Sequence, residues 1–133
     1  MAQNDNAERI DYWIALASYD LETAEAMLKT GRYLYVGFMC HQTIEKTLKA
    51  LFAKNSKGTP PFRHNLAYIA REASVYDLFS ESKKDFLDEL EPLNIESRYP
   101  ATKEMILHGL SQENCRDLLG RTKEVFGWLK SLL

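Results

Sequence analysis

Hydrophobic residues fall into helical stripes along almost the whole chain. Ile10, Ile14, Ala17, Leu21, Ala24 and Leu28 recur at alternating steps of four and three, which predicts a first helix of about six turns. Trp13 and Leu16 widen its stripe. Met1 to Asn6 is polar and reads as a frayed lead-in, with Asp5 or Asn6 as the cap. Gly31, after Lys29 and Thr30, predicts the C-terminal stop. A second helix is predicted almost at once, over Tyr33 to Lys54, so the two should form an antiparallel hairpin. Its first half is apolar nearly all round (Tyr33, Leu34, Tyr35, Val36, Phe38, Met39, Cys40). A helix without a wet side must be surrounded by other elements, which predicts a place at the centre of a bundle. Further on, Cys40, Ile44, Leu48 and Leu51 form a stripe opposite Gln42, Glu45, Lys46 and Lys49. Glu45 precedes Lys49 by one helical turn, the favourable order for an ion pair.

Asn55 to Arg63 holds Gly58, Pro60 and Pro61 among other turn formers and reads as a mobile loop. His64 or Asn65 should open a short third helix with Leu66, Ile69, Ala70 and Ala73 inward. After a partly apolar connector, Val75 to Phe79, Ser82 and Asp85 have capping-box spacing for a fourth helix. That helix should turn Phe86, Leu87, Leu90 and Leu93 inward and end or bend at Pro92. Asn94 to Gly109 looks irregular, because a proline at 100 disfavours helix at Tyr99. Ser111 should cap a last helix carrying Cys115, Leu118, Leu119, Thr122, Val125, Phe126, Leu129 and Leu133 on one side. Gly120 and Gly127 weaken that helix and would admit a close neighbour. The expected architecture is one all-α domain over 1–133, an antiparallel up-down bundle of four to five helices.

Composition narrows the function classes. The net charge is −2 and the pI about 5.9, which argues against strong non-specific nucleic-acid binding, though not against a local basic site. No signal peptide or membrane-spanning run is seen, so a cytoplasmic protein without membrane contact is expected. Cys40 and Cys115 lack metal-ligand spacing and read as small core residues in a reducing compartment. His41, His64 and His108 lie on three different predicted elements, so neither metal nor cofactor is expected. His41, one turn before Glu45, suits a structural helix-face contact. Two spots suit binding better. Arg63 and His64 open a helix, where anions are favoured, although capping and solvation would also explain them. Arg98, Tyr99 and Pro100 form a rigid platform for a guanidinium, although Arg98 could equally tie down neighbouring carbonyls.

The chain resembles the HEPN family (higher eukaryotes and prokaryotes nucleotide-binding domain). The resemblance rests on Ala24 to Leu28 before Gly31-Arg32-Tyr33, on Phe38 to Leu51 with its Cys40-x-Gln42…Glu45-Lys46…Leu48-Lys49-Ala50-Leu51 pattern, on His64-Asn65-Leu66 and on Arg98-Tyr99-Pro100. It implies a homodimeric bundle working beside a nucleotide or RNA. Some relatives pair with small nucleotidyltransferases in toxin–antitoxin systems. Others are metal-independent ribonucleases marked by an Arg followed about four to six residues later by a His. Here Arg63 directly precedes His64, and the next His after Arg98 is His108, so that signature is not found and no catalytic residue is assigned. The expectation is a non-catalytic module that binds a nucleotide or pairs with a small nucleotidyltransferase, with Arg98, Tyr99, Arg63, His64, Lys46 and Lys49 as candidate ligand contacts. A ribonuclease toxin with a displaced site, or a helical dimerisation protein without a nucleotide role, are the alternatives. Tyr12, Trp13, Tyr35 and Trp128 are candidates for the dimer surface.

Overall fold

The computed structural model describes residues 2–95 and 99–133, with side chains from residue 6 onward. These residues form six α-helices and no strand: α1 (Ala2–Lys29), α2 (Tyr33–Asn55), α3 (Leu66–Glu72), α4 (Glu81–Leu90), α5 (Pro100–His108) and α6 (Gln112–Ser131). Two short 3-10 turns, Tyr76–Leu78 and Glu91–Leu93, flank α4. The antiparallel bundle expected from the hydrophobic pattern is present, and α5 adds a helix to it.

The α1–α2 hairpin is closed by Gly31, which sits at φ +75°. In that conformation the Gly31 N–H reaches the Leu28 carbonyl at 3.3 Å and the Arg32 N–H reaches the Met27 carbonyl at 2.8 Å. These two bonds satisfy carbonyls that the helix end would otherwise leave bare. Glycine adopts that φ without the steric cost a side chain brings.

α2 is the axis. Of its 23 residues, 15 are buried. α1 lies antiparallel along it, and α6 packs on it in parallel. The direction of α6 is fixed at both ends: Cys115 Sγ lies 3.8 Å from the Tyr33 carbonyl, and Lys54 donates to the Leu132 carbonyl at 2.7 Å. Val36, Cys40, Ile44, Leu48 and Leu51 form the centre of the core with Ala17, Ala24, Leu66, Ile69, Leu87, Leu90 and Leu129. Buried hydroxyls of Thr43, Thr47 and Thr122 donate to the carbonyls four residues back, so they add no unsatisfied group. Burial pushes the Cys40 thiol up to about 12 and raises that of Cys115, as suits two free cysteines inside the core.

Several local expectations are corrected. The backbone is helical from Ala2, so neither Asp5 nor Asn6 marks the start of α1. Ser80, not Ser82, caps α4, accepting from the Lys83 N–H at 3.2 Å. From Tyr99 onward the segment before α6 is not irregular, and residues 96–98 lie outside the described residues. Tyr99 is extended, as a residue before proline should be, and Pro100 then opens α5 at a position whose N–H is not needed. A methyl group placed on Gly120 or Gly127 would meet no neighbour within 4 Å, whereas one on Gly37 would lie 3.3 Å from Leu93 Cδ1 and 3.4 Å from Leu110 Cδ1. The close approach is therefore made at α2, where the turn after α4 meets the residues just ahead of α6. Ser111 caps α6 as expected, and Asn65 caps α3.

Leu48 is fully buried at the middle of this core. Leu48→Ala should cost about 2–5 kcal/mol, read by urea unfolding. A loss under about 0.5 kcal/mol would mean that α2 is not the central helix.

Candidate functional site

The polar side of α2 is not a wet face. His41, Glu45 and Lys49 stand one turn apart on it, and their exposures are 0%, 2% and 9%. A carboxylate so deeply buried requires partners, since an unpaired buried charge costs several kcal/mol. Glu45 has two. Its Oε2 accepts from Lys49 Nζ at 3.2 Å, and its Oε1 accepts from His64 Nδ1 at 3.0 Å. His41 Nδ1 lies 3.9 Å from the same Oε1 and 3.3 Å from Gln42 Oε1.

His64 reaches Glu45 because the chain after α2 turns back. The 56–65 segment returns alongside α2, so α3 starts level with Glu45 and ends level with Asn55, whose side chain donates to the Ala73 carbonyl. Three further contacts hold this segment: Arg9 donates to the Gly58 carbonyl at 3.3 Å, Ser56 Oγ to the Glu72 carbonyl at 3.3 Å, and the Leu66 N–H to Glu91 Oε1. The His64 side chain remains 58% exposed, so its far edge faces solvent while Nδ1 is held. Lys49 Nζ also sits 5.3 Å from the Trp13 ring centroid, and Tyr12 meets Trp13 edge-on at 5.3 Å. The site thus joins a fixed cation, a half-exposed imidazole and an aromatic pair at the α1–α2 seam.

His41 is the most enclosed member. Its Nε2 is buried with no hydrogen-bond partner among the described residues. Two oxygens flank Nδ1, so the proton of the neutral ring belongs there. Burial lowers the His41 pKa below 6.5, against the opposing pull of Glu45 and Gln42.

Of the six candidate contacts, the described ones lie at several places. Lys49 and His64 meet at Glu45. Lys46 instead pairs with Asp20 of α1. The Arg63 guanidinium stacks 4.7 Å from the Tyr68 ring centroid, away from its neighbour His64. Tyr99 is 83% exposed ahead of α5, and Arg98 lies outside the described residues. The partners that sequence reasoning missed are Trp13 and the buried state of Glu45. The one-turn spacing of His41, Glu45 and Lys49 was visible, but the return of His64 is a tertiary event. Of the aromatic candidates for a dimer surface, Trp128 packs edge-on against Phe79 at 4.9 Å and Trp13 lies at this site, while Tyr12 and Tyr35 stay 59% and 50% exposed. Among the described residues no group of His, Cys, Asp and Glu is arranged to hold a metal ion, and no helix is long and apolar enough to cross a membrane.

The HEPN domain profile matches residues 10–132, and the chain belongs to the HEPN family. Among solved structures it is similar to TT1696 from Thermus thermophilus, with a TM-score of 0.80 and 18% identity over 94% of this chain and 98% of that one. It is also similar to ST0689, described as an archaeal HEPN homologue, with a TM-score of 0.61 and 19% identity over 92% of this chain and 96% of that one. No curated protein matches the chain.

The lowered His41 pKa makes a prediction about acid stability. The unfolded chain takes up a proton near pH 6.5 that the buried ring resists, so the stabilisation is fully present above pH 6.5 and is lost as pH falls below it. His41→Asn should flatten the fall in stability as pH drops below 6.5, measured by urea midpoints at each pH. An unchanged slope would show that His41 is not held neutral.

Proposed function

We propose that the chain is a non-catalytic HEPN-type module that binds a nucleotide at the seam of α1 and α2, and that it works as a homodimer beside a small nucleotidyltransferase. The observation that carries the nucleotide reading is the convergence of Lys49 and His64 on Glu45 next to the Trp13 ring. A base stacks on aromatic surface, and a phosphate takes charge-assisted hydrogen bonds from a cation. Trp13 with Tyr12 supplies the first, Arg9, which reaches the loop at Gly58, supplies the second, and the free edge of His64, held by Glu45 and Lys49, offers a further hydrogen-bonding group.

The non-catalytic part is supported by the divergence of Arg63 and His64. One stacks on Tyr68 and the other is bonded to Glu45, so this adjacent pair does not act on one reacting group. The dimer part is supported by the exposure of Tyr12, Tyr19 and Tyr35 along the α1–α2 hairpin. Exposed aromatics of this kind are enriched in protein contacts.

The test is calorimetric titration with ATP, GTP, UTP and their monophosphates, with the mass of the titrated species read by light scattering. The reading expects at least one nucleotide to bind to a protein of dimer mass, and Lys49→Gln or His64→Gln to weaken it by about tenfold or more. Failure of every nucleotide to bind at millimolar concentration, or equal binding by both variants, would contradict it.

A further inference from the structure

His64 is an imidazole with one nitrogen fixed and the other free. Its Nδ1 lies 3.0 Å from Glu45 Oε1, and its side chain is 58% exposed while that of Glu45 is 3% exposed. A carboxylate accepts, so Nδ1 donates and the neutral ring carries its lone pair on Nε2, at the wet edge. Lys49 holds the other oxygen of Glu45 at 3.2 Å, which fixes the carboxylate behind the ring. The backbone is fixed on both sides of His64 as well. Arg9 bonds to the Gly58 carbonyl, Ser56 to the Glu72 carbonyl, and the Leu66 N–H to Glu91.

The other two histidines lack this combination. His41 also has Nδ1 near Glu45 Oε1, at 3.9 Å, but it is fully buried. His108 is exposed at the end of α5 and forms no ion pair among the described residues. An imidazole arranged like His64 serves either as a base for a neighbouring hydroxyl or thiol, or as a nucleophile itself. Among the described residues no hydroxyl or thiol is hydrogen-bonded to the ring, so the ring has no second group to activate.

We propose that His64 Nε2 is a phosphoryl acceptor, modified by small donors of the phosphoramidate or acyl phosphate class. When Nε2 takes an electrophile the ring becomes cationic, and the Glu45 carboxylate already lies where that charge appears. Lys49 and the modified ring are then positive and Glu45 negative, which leaves net positive charge beside Nε2. That charge favours an anionic phosphoryl group over a neutral acyl group, and the solvent at this edge hydrates its oxygens. With phosphoramidate, the Nε2 lone pair forms the new N–P bond, the P–N bond of the donor breaks, and its electron pair leaves with ammonia. Nδ1 keeps its proton, and no other reactant is needed.

Phosphoramidate treatment of the full chain, with each histidine followed by peptide mass spectrometry, tests this. His64 should be phosphorylated at least about tenfold faster than His108, and His41 should stay unmodified. Phosphorus NMR should place the group on Nε2 of His64. Glu45→Gln keeps the shape and removes the charge, so it should slow His64 by about tenfold or more and leave the His108 rate as it was. His108 thus serves as a control within the same molecule, which a general loss of structure would not leave unmoved. If the variant does not fold, wild type unfolded in urea carries the test, and His64 and His108 should then react alike. Equal rates in the folded chain, attachment at Nδ1, or a His64 preference that survives Glu45→Gln or urea would overturn the assignment. The modification needs no bound nucleotide, so its failure would leave nucleotide binding at the α1–α2 seam untouched.

Discussion

A carboxylate at the middle of the most buried helix sets the terms for everything around it. Glu45 is 2% exposed, and a carboxylate there is tolerable only with hydrogen-bond donors on both oxygens. Lys49 comes from the same helix one turn on, so helix geometry alone supplies it. His64 cannot be supplied that way. It arrives only because the chain beyond α2 doubles back and α3 starts beside Glu45 rather than beyond the end of α2. The requirement for a partner at Glu45 thus bears on the path of the 56–65 segment, on the direction of α3 and on the side from which α1 can cover Lys49 with Trp13.

The same constraint leaves the site half open. Glu45 and Lys49 are enclosed, but His64 is bonded on one edge and wet on the other. An imidazole anchored by a buried carboxylate keeps its orientation while its far nitrogen stays accessible, which is a sound way to present one hydrogen-bonding group to a ligand. The bundle places this edge at the α1–α2 seam.

Much of the fold was legible because the packing faces are regular. The four-and-three recurrence from Ile10 to Leu28, the glycine stop at Gly31 and the Ser111 cap each follow from local physics, and each has its counterpart in the structure. The failures have physical reasons too. Pro100 breaks helix on its N-terminal side, but a proline also opens a helix, and α5 starts on it. Ser82 has a partner at capping-box spacing, yet Ser80 is better placed for the buried stripe of Phe86, Leu87 and Leu90. The site was legible only in its residue types. Lys49 and His64 were recognisable as donors, but periodicity put Glu45 and Lys49 on a wet face, and nothing in local sequence shows that a neighbouring helix and a returning loop will cover them.

The central claim is that Glu45 and His64 hold each other, and a double-mutant cycle measures it most directly. Urea unfolding of wild type, Glu45→Gln, His64→Gln and the double variant at pH 7 gives the coupling free energy. A favourable coupling of at least about 0.5 kcal/mol is predicted, modest because His64 is partly solvated. Strictly additive losses would contradict the account, since the return of the 56–65 segment to α2 would then owe nothing to this pair.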